Sequence, residues 1–296
     1  MVSEASGVLS SRQKGILLLL AAAGLWSSAG IFTRAVNVDI WTMQFWRALS
    51  GAAFLLGVIV WQFGSGAPRA LLDIGRAGLV VVPCSAISMV CYISALHLTT
   101  VAEVMIVYAT QPFVNAAVAW IFLREPMGRR TMLAASMALV GIAITVFAGD
   151  FSAAANNRVL GDGLALLMVF GFSAVYVMAR GKRPETMTAV NALAAGLSAL
   201  ICLPLAAPLA ISWPDLGMMV AFGALTLGLG LTLLIAGIRH IPAGEAALVT
   251  LMDVPLSPLW VWLAFNERPG QSAIWGGLIV LAAVLWQMSG ELRPRS

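Results

Sequence analysis

The sequence predicts an all-α integral membrane protein of ten transmembrane helices, built as two five-helix repeats of inverted topology. Three observations predict it: the composition, the placement of basic residues between apolar runs, and the recurrence of polar residues between the two halves. Of 296 residues, 60% are hydrophobic and only 10% charged, against roughly 25% charged in an ordinary soluble domain. The mean hydropathy is +0.94. So few polar side chains cannot cover a water-facing surface. A spanning helix needs about 20 apolar residues, so the chain holds about ten with short loops and no separate soluble domain. The net charge of +4 does not point to nucleic acid. Loop arginines that set orientation in the bilayer account for it.

The apolar runs divide into ten segments: Lys14–Val36, Ile40–Gln62, Gly75–His97, Thr100–Leu123, Gly128–Ala148, Gly161–Arg180, Thr188–Leu209, Asp215–Arg239, Ala243–Phe265 and Gln271–Gly290. Arg12 and Lys14 before the run from Ile16 resemble the start of a signal peptide, but the further segments make this run the first span. The three cysteines, Cys84, Cys91 and Cys202, all fall in apolar runs, which argues for packing rather than disulfides.

Orientation follows from Lys and Arg. With an even number of spans, both termini share a side. That side collects Arg12, Lys14, Arg69, Arg76, Arg124, Arg129, Arg130, Arg180, Lys182, Arg183, Arg239, Arg293 and Arg295, whereas the other holds Arg34, Arg158 and Arg268. Both termini are therefore expected in the cytoplasm. Removing one span would reverse every later loop and scramble the asymmetry, so the charges also support ten.

The two halves, 1–148 and 149–296, repeat one another within a single membrane domain. An offset of 142 takes Glu103 to Glu245, Tyr108 to Thr250, Gln111 to Asp253, Asn115 to Ser257 and Glu125 to Glu267, with Pro112 and Pro255 one residue out of register. An offset of 146 takes Trp26 to Phe172 and Arg34 to Arg180. Five helices per copy invert the second copy in the membrane, a plan of secondary transporters with a site near mid-membrane at the repeat interface.

The stretch Ala95-Leu-His-Leu-Thr-Thr-Val-Ala-Glu103, followed by Gln111-Pro112, Leu123-Arg-Glu-Pro126 and Gly141, resembles the EamA repeat of the drug/metabolite transporter superfamily. The second half offers Gly237-Ile-Arg-His-Ile-Pro-Ala-Gly-Glu245, then Pro255, then Asn266-Glu-Arg-Pro269. Within that superfamily the aromatic spans look most like the YddG-type exporters of aromatic and other amino acids. The resemblance implies export of small organic metabolites by alternating access, amino acids first among them, across a bacterial inner membrane. Export of drugs or other metabolites is the alternative within the superfamily.

Tyr108, Gln111 and Asn115 fall within an arc of about 60° on the fourth span, given about 100° per residue. Thr250, Asp253 and Ser257 repeat it on the ninth. Such stripes line a cavity or join helices to each other, because lipid would leave them unsatisfied. Asp253 is read as the one carboxylate deep in a span, holding a substrate ammonium or pairing with Arg47. Arg47 itself is read as snorkelling or pairing with a neighbouring helix. Glu103 and Glu245 are expected to cap their helices, with gating as the alternative, and Glu125 and Glu267 to mark boundaries. Trp26, Tyr92, Tyr108, Phe172 and Trp260 are expected to form an aromatic wall, suited to an apolar side chain or an ammonium, with Gln111, Asn115 and Asp253 as polar contacts. Spans one, three, four, six, eight and nine should surround the cavity. His97 and His240 stand near helix junctions.

An enzyme is the competing class. Two histidines, without HExxH, a P-loop or a cysteine pair, supply little equipment for metal chemistry or ATP hydrolysis. No catalytic residue, metal or cofactor is expected. The expected partners are a small-molecule substrate and the lipid bilayer, not nucleic acid, and nothing in the sequence requires more than a monomer.

Overall fold

The computed structural model describes residues 10–124, 128–147, 155–178, 184–241, 246 and 249–291. Glu125, Glu245, Arg180, Lys182, Arg183, Arg293 and Arg295 lie outside the described residues, as do the side chains of Arg76 and Tyr176. The described residues form helices and connections, with no strand among them.

The order is α1 (Ser11–Ser27), α2 (Ala29–Ala35), α3 (Ile40–Phe63), α4 (Ala67–Leu72), α5 (Gly75–Leu98), α6 (Val101–Tyr108), α7 (Gln111–Leu123), α8 (Arg129–Phe147), α9 (Ala155–Met178), α10 (Pro184–Cys202), α11 (Trp213–Phe222), a π-helical segment (Gly223–Leu229), α12 (Gly230–Gly237), α13 (Asp253–Phe265) and α14 (Gln271–Glu291). Five stretches among the described residues are long and apolar enough to cross a membrane: Ser11–Ala35, Ile40–Leu72, Gly78–Leu98, Asn157–Val175 and Trp213–Gly237. The pair α6 and α7 qualifies together, bent by 41°.

Local chemistry places the helix starts. Ser10 and Gln13 form a capping box at α1, and Thr100 and Glu103 form one at α6. Asp39 accepts from the backbone N–H groups of Trp41 and Thr42 at α3. Breaks have equally local causes. Pro112 in the first turn of α7 has no N–H to return to the preceding turn, so the fourth span breaks at Ala109–Thr110. Pro255 acts likewise at α13, after the turn at Leu251–Met252. Although the prolines are out of register by one, Gln111 and Asp253 both open their helices at the same repeat offset. Ser28 interrupts the first span, its hydroxyl donating to the Leu25 carbonyl.

Two boundaries lie six or more residues from the apolar pattern. The seventh segment ends at Cys202 rather than Leu209, because Leu203 precedes Pro204 and Pro208 follows. The sixth begins at Ala155 rather than Gly161, which puts Asp162 inside the helix.

Neighbouring helices meet through small residues. Gly15 of α1 faces His240 and Ile241, Gly161 of α9 faces Leu98 and Thr99, and Gly141 of α8 faces Gly276 and Val280 of α14. These contacts make each pair antiparallel. α8 and α14 pack on each other at the periphery, and Arg130 at the start of α8 reaches the Trp286 carbonyl and the Ser289 hydroxyl. Ser11 and Glu291 accordingly share one end of the bundle, here the termini end. The opposite end carries Arg34, Glu103, Arg158 and Glu267.

Candidate functional site

At that opposite end the helix termini are bound together by charge. Arg34, in the last turn of α2, pairs with Glu267 (Nε to Oε2, 2.7 Å) just beyond α13. It also donates to the Leu96 carbonyl (2.6 Å) and the Thr99 carbonyl (3.2 Å) at the end of α5. Glu267 in turn accepts from the backbone N–H of Val101, at the start of α6 (3.3 Å). One ion pair thus neutralises free carbonyls of one helix and a free amide of the next. Glu267 is therefore a clamp, not merely a boundary residue. Glu103 caps α6 and also pairs with Arg158 of α9 while accepting from the Thr99 hydroxyl. Asp162, one turn beyond Arg158, is a further buried carboxylate near this end. The largest apolar core among the described residues draws Ile93, Leu96, Val101 and Val104 from this half of the bundle.

In the other half the helices separate around a cavity of about 240 Å³. Its lining runs from Arg47, Tyr92 and Met105 at the floor, past Trp26, Tyr108 and Asp253, to Val175 and Met187, near the ends of α9 and α10 at the termini end. The six expected spans all contribute. Two further ones do so as well: the second, through Arg47 and Leu55, and the seventh, through Met187 and Asn191.

Six of the eight sequence-derived candidates come together here: Trp26, Tyr92, Tyr108, Gln111, Phe172 and Asp253. Two do not. Asn115 lies one turn past Gln111, outside the lining, with its Oδ1 buried and without a hydrogen-bond partner. Trp260 is 39% exposed, and its indole N–H donates to the Ser27 hydroxyl (3.1 Å), joining α13 to α1 rather than facing the cavity. Two turns along α13 from Asp253, it has already passed into the packed half. His97 lies against the Met43 sulfur (3.4 Å) and His240 against the Ser11 hydroxyl (3.0 Å), both away from the cavity. Among the described residues, no three His, Cys, Asp or Glu side chains form a metal-holding group.

Trp26 is held by an unusual helix. Through Gly223–Leu229 the winding is π, and the Gly230 N–H returns to the Leu225 carbonyl, five residues back. The Trp26 indole donates to the Thr226 carbonyl (2.8 Å) in this segment. A Cβ on Gly230 would stand 2.7 Å from Trp26 Nε1, and one on Gly223 would collide with the backbone carbonyl of Arg47. The glycines therefore bring this span close enough for α1 and α3 to touch it.

Arg47 lines the cavity, although the sequence reading did not place it among the cavity residues. It neither snorkels nor pairs with Asp253. It is buried (4% exposed) and lies 4.8 Å from the Phe222 ring centroid and 5.8 Å from that of Tyr92. A signal was available: an offset of 144, midway between the two used above, takes Arg47 to Asn191, which lines the same cavity. The lining then contains several repeat pairs, among them Trp26 with Phe172, Arg47 with Asn191, and Gln111 with Asp253. On the ninth helix Ser257 donates to Asp253 Oδ1 (2.9 Å), so the matched stripe acts partly within itself.

No curated protein matches the chain. Among solved structures, one titled "Crystal structure of protein" superposes with a TM-score of 0.63 at 19% identity, covering 96% of this chain and 99% of that one; the likeness is one of fold. The model of the EamA-like transporter family matches twice, over residues 13–147 and 159–288, one match per repeat. The chain is a multi-pass membrane protein and belongs to the EamA-like transporter family, within the drug/metabolite transporter superfamily.

Proposed function

We propose that this chain is a ten-span secondary transporter, both termini cytoplasmic, that exports small organic metabolites by alternating access, with amino acids carrying aromatic or other apolar side chains as its substrates. The observation that carries this reading is the cavity at the repeat interface, with matched residues from both copies and walls of Trp26, Tyr92, Tyr108 and Phe172. Aromatic faces hold an apolar side chain by stacking and an ammonium by cation–π attraction. Asp253, buried and lining the same space, offers a carboxylate to that ammonium. Rocking of one repeat against the other would break the Arg34–Glu267 and Glu103–Arg158 contacts and open the second end. With the termini in the cytoplasm, the cavity described here faces the cytoplasm, the side from which an exporter loads. Four methionines in the lining (Met89, Met105, Met168 and Met187) favour a second reading, a broader set of apolar metabolites or drugs, because thioether side chains adapt to irregular shapes.

The test is uptake by proteoliposomes of the purified chain, using labelled phenylalanine, tryptophan, methionine, threonine and a non-amino-acid control, with and without an imposed pH gradient. Saturable phenylalanine or tryptophan uptake above empty liposomes is the expected result. Folded protein that moves none of them under either condition overturns the amino-acid reading.

A further inference from the structure

We propose that Arg47 binds the carboxylate of the substrate while Asp253 binds its ammonium, so that the cavity selects zwitterionic α-amino acids over apolar amines and apolar acids of the same shape. The proposal rests on reading the cavity as the transport site.

The first support is an unmet charge. Two other arginines in the helices, Arg34 and Arg158, each hold a glutamate. Arg47 is more deeply buried than either, yet among the described residues it has no carboxylate partner and its Nε makes no hydrogen bond. Its neighbours are the faces of Phe222 and Tyr92, which steady a guanidinium but accept none of its fork of hydrogen bonds. Phe222 is itself fixed by stacking on Phe32, with centroids 4.9 Å apart. A buried cation that rests against apolar rings and lines a cavity suits a planar anion that can take two parallel hydrogen bonds. A carboxylate has that shape.

The second support is the way the two copies differ. The frame is repeated, but the charges are not. Arg47 has neutral Asn191 as its counterpart, and Asp253 has neutral Gln111. Asn191 donates to the Met187 carbonyl, a bond within its own helix. One copy therefore supplies the cation and the other the anion, and both face one cavity without forming an ion pair with each other. Two fixed unlike charges that do not meet leave the space between them to a ligand of opposite polarity.

The test is ligand-induced thermal stabilisation of the purified full chain, a readout that needs no transport. The compounds are phenylalanine, phenethylamine (no carboxylate) and 3-phenylpropionate (no ammonium), on wild type, Arg47→Gln, Arg47→Lys and Asp253→Asn. Phenylalanine is expected to stabilise wild type at concentrations at least tenfold below either analogue. Arg47→Gln should erase the preference over phenethylamine, Arg47→Lys should keep part of it, and Asp253→Asn should erase the preference over 3-phenylpropionate. The comparison on wild type alone decides the matter should a variant misfold. Equal stabilisation by phenylalanine and phenethylamine overturns the role of Arg47 and leaves an amine or drug transporter standing. Arg47-dependent binding of 3-phenylpropionate with no preference for phenylalanine upholds Arg47 as the carboxylate site and overturns the amino-acid reading. Folded protein that responds to none of the three overturns both.

Discussion

The two ends of the bundle handle buried polar groups in opposite ways. Near Arg34 and Glu103, charges and free helix termini satisfy one another: Arg34 joins α2, α5 and Glu267, Glu267 reaches α6, and Arg158 joins α9 to Glu103. In the cavity, Arg47 and Asp253 are buried more deeply than Arg34, Glu267 or Arg158 but leave each other unpaired. Under the alternating-access reading proposed above, the first arrangement would hold one end closed without ligand and the second would keep its polar groups for a substrate. Such a molecule needs both, because an end that closes on itself opens only when new interactions elsewhere favour the open state.

The largest expected effect comes from breaking the self-satisfied end. Glu103→Ala strands Arg158 and removes the side-chain half of the α6 capping box, while the Thr100 hydroxyl still caps the helix. Leaving a buried partner uncompensated costs up to several kcal/mol, reduced here because Arg158 is partly exposed, so thermal unfolding in detergent should report about 3 kcal/mol. A loss below about 0.5 kcal/mol would mean that this end is not held by the pair. Gly223→Ala attacks the contact between the two regions, since its Cβ meets the Arg47 carbonyl, a backbone atom that cannot rotate away. About 2 kcal/mol of destabilisation is expected from such overpacking. Wild-type stability would show that α3 and the π segment do not touch as described.

Trp26→Phe keeps the ring and deletes the bond to the Thr226 carbonyl. About 1 kcal/mol of stability should go with it, together with weaker ligand stabilisation. An unchanged ligand response would remove Trp26 from the cavity's binding wall. The smallest effect is expected at the α3 cap, on the ion-paired side. Partial burial of Asp39 works against its ionisation, but the hydrogen bonds from Thr42 and Trp41 outweigh it and hold its carboxyl below the usual carboxylate value. A depressed native value means that the cap contributes fully above the unfolded-state value. The contribution is lost as the pH falls through the native one. Asp39→Ala should therefore cost somewhat under 1 kcal/mol near neutrality, and the gap from wild type should shrink towards pH 3. A gap that persists in acid would assign the loss to packing instead.

How much of this the sequence disclosed differs between the same two regions. Trp26, Phe172, Gln111 and Asp253 were legible because an aromatic or polar residue inside an apolar run has few uses, and each recurs in the other half. The breaks at Ala109–Thr110 and Leu251–Met252 follow from Pro112 and Pro255. Glu267 read as a boundary residue because its partners, Arg34 and the Val101 amide, are remote in sequence and converge only when the helices pack. Trp260 read as a wall because it is an aromatic residue within a span, whereas depth along the helix decides what it meets. Of the two readings of Arg47, contact with a neighbouring helix is the one the structure shows. An intramembrane arginine ordinarily stretches towards an interface, and only the rings of Phe222 and Tyr92 show that this one stays where it is.

The π-wound turn carries a consequence of its own. Each residue accommodated by wider winding shifts everything beyond it by one place, which on an α-helix is a rotation of about 100°. Rewinding Gly223–Leu229 as α would swing the Gly230 side of the helix away from Trp26 and point the Thr226 carbonyl elsewhere. The face that α12 presents to α1 is thus set by a counting defect upstream of it, much as a dropped stitch sets the pattern of every row that follows.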